Sequence, residues 1–188
     1  MRNNRLDFWH WFFVGNGYKP GYRRLVDKYT IIDAIVGIIL TSTVSVTLKD
    51  AAAIILLVLI GIFVCSSIYC SLVLREFGTK ETTLFLEKHR GGVTEHFFIL
   101  QTVELVMLGC IVLWGLAGLG IYDMVRATDN IAYTIIAFAL YASLSLSIRI
   151  CWEAVSYTVH MMHAKIQMQK ITDFRKEKAE RNISTKSL

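Results

Sequence analysis

Proline is almost absent from this chain of 188 residues: Pro20 is the only one. Without a proline-rich stretch to serve as a linker, the sequence reads as one unit with no separate soluble module. Paired cysteines are missing too. Cys65, Cys70, Cys110 and Cys151 all lie in or beside apolar runs and form no CxxC, so zinc-site and redox-pair spacings are excluded and the four read as small packing residues. The chain has no glycine-rich phosphate loop, no GxSxG elbow, no HExxH and no paired acidic motif of the kind that holds magnesium in membrane transferases. Gly15-Asn16-Gly17 is only a turn. His160 and His163, with His89 and His96, complete no metal-ligand set. The expectation is a protein that is not an enzyme and carries neither cofactor nor metal.

Charge is also scarce, and unevenly so. Charged residues make up 19% of the chain against 54% hydrophobic, with a mean hydropathy of +0.48. The apolar excess gathers into four runs, Thr30–Leu48, Ala51–Leu74, Phe97–Ile121 and Ile131–Ile150, the last continuing toward His160. Each is close to the ~20 residues that cross a ~30 Å hydrocarbon core. Each must be helical, because lipid cannot satisfy free backbone N–H and C=O groups. The sequence therefore predicts an all-α integral membrane protein, a four-helix bundle over residues 30–160. Residues 1–29 form an interfacial aromatic and basic segment, 75–96 a connecting loop, and 161–188 a basic tail that extends the fourth helix. The first run is not a signal-peptide core, given its long preceding region and the lack of a small-x-small cleavage site before Lys49 and Asp50.

Positive charge sets the orientation. Net charge is +5 with a pI near 9.1. Arg2, Arg5, Lys19, Arg23, Arg24 and Lys28 precede the first run. Arg75, Lys80, Lys88 and Arg90 lie between the second and third. Lys165, Lys170, Arg175, Lys176, Lys178, Arg181 and Lys186 follow the fourth. Lys49 and Arg126 alone occupy the other two connections, so seventeen of the twenty basic residues fall on one side, with Arg149 left aside. The positive-inside rule assigns both termini and the 75–96 loop to the cytoplasm. The basic character then reflects topology and lipid headgroups, and no direct contact with nucleic acid is expected.

Six positions hold Phe8, Trp9, Trp11, Phe12 and Phe13. Leu6–Val14 reads as an interfacial anchor, the rival reading being a segment tucked into the bundle. Lys80–Arg90 has helical character, carries the apolar patch Leu84, Phe85 and Leu86, and meets a stop at Gly91 and Gly92. The outer connections are short, so a partner is expected to dock from inside, on Lys80, Lys88 and Arg90 of the loop and His163, Lys170, Arg175 and Lys176 of the tail.

Ionisable residues within apolar runs are the default functional candidates. Asp33 lies near the inner end of the first run and reads as an interfacial carboxylate. Arg149 falls at the inner end of the fourth, able to snorkel and to pair with Glu153 at i,i+4. Glu104 lies ~10 Å inside the third run, with Gln101 on the same face. A carboxylate at that depth is protonated, paired, hydrated or turned toward protein. It serves a structural hydrogen bond at a helix or subunit contact, a water-filled path or a proton-titrating site, unless it lies nearer the interface than this count places it. Thr41, Ser42, Thr43, Ser45 and Thr47 in the first run and Ser143, Ser145 and Ser147 in the fourth add hydroxyls. Ala139, Ser143 and Ser147, and Gly109, Gly115, Gly118 and Gly120, form small-residue faces that favour close packing within one chain or between copies, a pore lining being the alternative use of the hydroxyls.

In size, four-helix topology, small outer loops and basic tail, the chain resembles the small membrane subunits of bacterial antiphage defence systems, the Kiwa membrane component being nearest in form. The resemblance covers the whole chain in outline and attaches to no single residue. It implies a homo-oligomer in the inner membrane, bound from the cytoplasm by a soluble effector. The reading that follows is a membrane scaffold or sensor that recruits a cytoplasmic partner. A channel or pore-forming effector lined by Glu104 and the hydroxyls is the first alternative, and a small proton-coupled transporter using Glu104 the second.

Overall fold

The computed structural model describes residues 7–15, 20–77 and 92–184, which are helical with no strand among them. Six α-helices follow in order: α1 Phe8–Phe13, α2 Thr30–Thr43, α3 Leu48–Phe77, α4 Gly92–Gly118, α5 Ile121–Thr128 and α6 Asn130–Ser184, with a 3-10 turn at Gly21–Arg24 before α2. Three of them (α3, α4 and α6) are long and apolar enough to cross a membrane. At 1.5 Å per residue, α6 is about 82 Å long and α2 only about 21 Å.

The first apolar run is helical only to Thr43, short of the expected end at Leu48. Thr41, Ser42 and Thr43 turn their hydroxyls back onto the carbonyls of Gly37, Ile38 and Ile39 at 2.7–2.8 Å, bonding that loosens a helix end. Val44 then becomes extended. Thr47 restarts the helix: its hydroxyl accepts from the Asp50 amide at 3.2 Å and donates to the Asp50 carboxylate at 2.7 Å, a reciprocal cap that lets α3 begin at Leu48 rather than Ala51. α4 begins five residues before Phe97 and closes at Gly118, ahead of Ile121. Gly120 adopts a left-handed conformation (φ 76°), open to glycine without strain, and the chain re-enters a helix. The expected loop at Tyr122–Asn130 is thus largely α5. Asp129 caps α6 by accepting from the amides of Ile131 and Ala132 at 2.9 and 3.1 Å.

Paired contacts fix the register. Asp33 meets Ser145 and Arg149, Gly37 lies against Phe138 and Ala142, and the Leu48 amide donates to the Tyr133 hydroxyl, so α2 runs antiparallel to α6. His96 stacks on Tyr157 and Trp114 meets Tyr141 edge-on, so α4 is antiparallel to α6 as well. Gly118 faces Ala52 and Leu56 of α3. α4 lies between α3 and α6, and α2 follows the opposite flank of α6. The buried share of the apolar window agrees: 44% for α4 against 22% for α3. Val103, Met107, Trp114, Leu59, Ala52, Leu140 and Tyr141 form the centre of the core.

Outside this core the surface is oily. Ile54, Leu57, Val58, Ile60, Val64, Ile68 and Leu72 of α3 are exposed, as are Ile31, Ile32, Ile35, Ile38 and Ile39 of α2. A contiguous apolar surface of that extent would not remain in water and suits hydrocarbon. α1 divides its aromatics between two environments. Phe8 and Trp11 are buried against Phe98 of α4, while Trp9 and Phe13 face outward. One face of this short helix is therefore tucked into the bundle and the other is exposed.

A candidate functional site: the interhelical ion-pair cluster

The most densely bonded polar group of the described chain sits where α2 begins and α6 leaves the core. Arg149 is its centre. Nε and Nη2 both contact Asp33 Oδ2 at 2.9 Å, Nη1 contacts Glu153 Oε1 at 2.9 Å, and Nη2 also donates to the Leu25 carbonyl at 3.2 Å. Ser145 donates to the other Asp33 oxygen at 2.8 Å. The Asp33 and Arg149 side chains are 5% and 14% exposed. Helical geometry brings the parts together: Ser145, Arg149 and Glu153 follow one another at four-residue steps on one face of α6. Gly37 lets α2 approach, since a Cβ there would stand 3.0 Å from Ala142 Cβ and 3.1 Å from the Phe138 ring.

The arrangement is a lock. Every nitrogen of the guanidinium makes at least one contact, Nε and Nη2 converging on one Asp33 oxygen while Ser145 donates to the other. Such a group orients helices. Its partners come from α2, from α6 and from the segment leading into α2, so it ties three stretches of chain at one end of the array. A second pair reinforces the same end, Arg24 Nη2 to Glu95 Oε1 at 2.9 Å.

The expected local pair of Arg149 with Glu153 is present. The stronger partner, Asp33, was not anticipated, although the signal existed: an acid and a base of opposite sign lay at matching depth in two runs. Glu104 is half-buried on α4 and makes no hydrogen bond or ion pair with any described residue, while lying within electrostatic reach of Cys70 on α3. Gln101 is also half-buried on α4. Arg149 bonds Asp33, Glu153 and the Leu25 carbonyl and does not pair with Glu104. The hydroxyls of Thr41, Ser42, Thr43, Ser143 and Ser147 donate to carbonyls of their own helices, while Ser145 bonds across to Asp33 on α2 and Ser143 also meets Cys110 Sγ on α4 at 3.8 Å. Gly109 and Gly115 face open space in the single chain.

Of the expected docking residues, His163 and Lys170 are exposed on α6. Arg175 and Lys176 lie on the same helix, and Lys80, Lys88 and Arg90 fall outside the described residues. No protein-family model, curated protein or solved structure matches the chain.

Proposed function

We propose that the protein is a non-enzymatic, oligomeric scaffold or sensor of the bacterial inner membrane that recruits a soluble cytoplasmic partner on the free end of α6. One observation carries this reading. α6 continues without a break from an apolar span into a polar, basic helix ending at Ser184. From Val159 to Phe174, every side chain the structure describes is exposed except Lys165. A helix of that length outside the core has no use in holding the membrane part together, and it offers a partner a preformed surface. In this reading α2 and the extended Val44–Thr47 together make a fourth crossing, both termini and the 75–96 loop face the cytoplasm, and seventeen of the twenty basic residues lie on that side. The outline shared with antiphage membrane subunits supports a defence setting. A pore through one chain is disfavoured, because most of the hydroxyls that would line it are turned onto backbone carbonyls.

The test is truncation after Met162. Removing the rest of α6 abolishes co-purification of the cytoplasmic partner from cells while leaving membrane insertion intact. A partner retained in unchanged amount by the truncated chain would overturn the assignment.

A further inference from the structure

A cavity of about 530 Å³ opens beside the ion-pair cluster, lined by Pro20, Arg23, Arg24, Asp27, Glu95 and Glu153, with Val26 at its edge. That volume falls within the ~300–1,000 Å³ usual for small-molecule sites. Its wall is rigidly held. Gly21 lies against the Trp11 ring of α1, where a Cβ would approach ring atoms to 2.5–2.9 Å. Arg24 is tied to Glu95 of α4, and the Leu25 carbonyl to Arg149 of α6. Asp27 is set by its amide donating to the Thr30 hydroxyl at 3.0 Å.

Within this wall the charges are only partly matched. Arg24 is paired with Glu95, and Glu153 with Arg149 through one of its oxygens. Arg23 and Asp27 pair neither with each other nor with any other described residue, though Asp27 accepts from the Lys28 amide. Among the described lining residues, one cation and one anion without an ion-pair partner therefore share the cavity. A simple anion would meet the three carboxylates and a simple cation would meet Arg23. A ligand carrying both signs satisfies the two together. The neighbouring sequence favours a lipid source: Tyr22 and Tyr29 flank Arg23 and Asp27 in the chain, Trp152 precedes Glu153, all three are exposed, and exposed tyrosine and tryptophan are enriched at headgroup level.

We infer that this cavity binds the headgroup of a zwitterionic aminophospholipid, a phosphate diester bearing a primary ammonium. The guanidinium of Arg23 receives the phosphate, which its planar fork fits. The free oxygen of Asp27 and the second oxygen of Glu153 accept from the ammonium, whose three N–H groups are the feature recognised. A choline headgroup has the same charges but no donor. The site rests on the membrane reading and not on partner recruitment; truncation after Met162, which tests recruitment, leaves it intact.

The experiment is native mass spectrometry of the full chain, released from bilayers of equal phosphatidylethanolamine, phosphatidylglycerol and phosphatidylcholine. The wild type retains phosphatidylethanolamine about tenfold over either competitor, roughly the value of one charge-assisted hydrogen bond. Arg23→Gln lowers retention of phosphatidylethanolamine. Asp27→Asn removes its preference over phosphatidylcholine. Both side chains are exposed, so helix content by circular dichroism stays unchanged. A second series needs no variant: retention by the wild type falls with each N-methyl group added to the headgroup. Equal retention of phosphatidylethanolamine and phosphatidylcholine, or variants indistinguishable from wild type, overturns the proposal. Free phosphoethanolamine binding as tightly as the lipid would make the cavity a site for a soluble ligand and overturn it equally.

Discussion

Asp33 and Arg149 stand 116 positions apart in sequence, yet Arg149 places both Nε and Nη2 on the same Asp33 oxygen at 2.9 Å. The pair joins a helix too short to cross a membrane alone to the longest helix of the protein. Removing one member strands the other in a mostly buried site, at a cost of about 3–5 kcal/mol. Asp33→Ala is therefore expected to destabilise strongly in detergent unfolding. The double change Asp33→Leu with Arg149→Met recovers most of that loss, since an apolar pair leaves no stranded charge. A double variant as unstable as the sum of its parts contradicts the pairing.

Gly37 supplies the close approach that makes the pair possible. Gly37→Leu separates α2 from α6 and lowers the unfolding temperature, with overpacking costing roughly 1–3 kcal/mol. Gly109→Ala is the control: its Cβ meets nothing within 4 Å, and alanine favours a helix by up to ~1 kcal/mol over glycine. Equal effects at the two positions would argue against the α2–α6 contact.

Glu104 tests assembly. With no hydrogen-bonding partner among the described residues of its own chain, a half-buried carboxylate in an apolar span is expected to find one in a second copy or in water held between copies. Glu104→Gln keeps a hydrogen-bonding group and preserves the oligomer, measured by light scattering in detergent. Glu104→Leu shifts it toward monomer while the chain still inserts. An oligomer unaltered by leucine removes Glu104 from the contact. Assembly that survives glutamine with loss of all transport or flux would favour a proton-coupled role.

Topology is read directly by reporter fusions. Fusions at Pro20, Phe85 and Leu188 are expected to report cytoplasmic, and those at Asp50 and Ala127 external. A fusion at Phe85 found outside reverses the orientation, because that loop holds four of the basic residues on which it rests.

Hydropathy alone located the helical runs, since a stretch of some twenty apolar residues has few alternatives to a helix. It missed the break after Thr43, because threonine and serine count as mildly polar whether their hydroxyls face solvent or bond backward to a carbonyl. It missed α5, whose Asp123 and Arg126 read as loop, and did not foresee that Phe8 and Trp11 would dock on Phe98 while Trp9 turned outward. The candidate residues Asp33, Arg149 and Glu153 were individually visible as ionisable groups near one end. Their union was not, because it depends on the rotation of α2 against α6, set by Gly37 meeting Ala142, and no periodicity within a single helix encodes that angle.

The unbroken course of α6 makes it a shaft. A helix continuous from Asn130 to Ser184 passes a roll of its apolar half toward its free end, and a turn of about 10° moves side-chain tips ~5–6 Å from the axis by roughly 1 Å. Arg149 lies off that axis and is pinned to Asp33 on a neighbouring helix. The pin fixes the angular phase of the shaft, and with it the compass bearing that His163 and Lys170 present beyond the core.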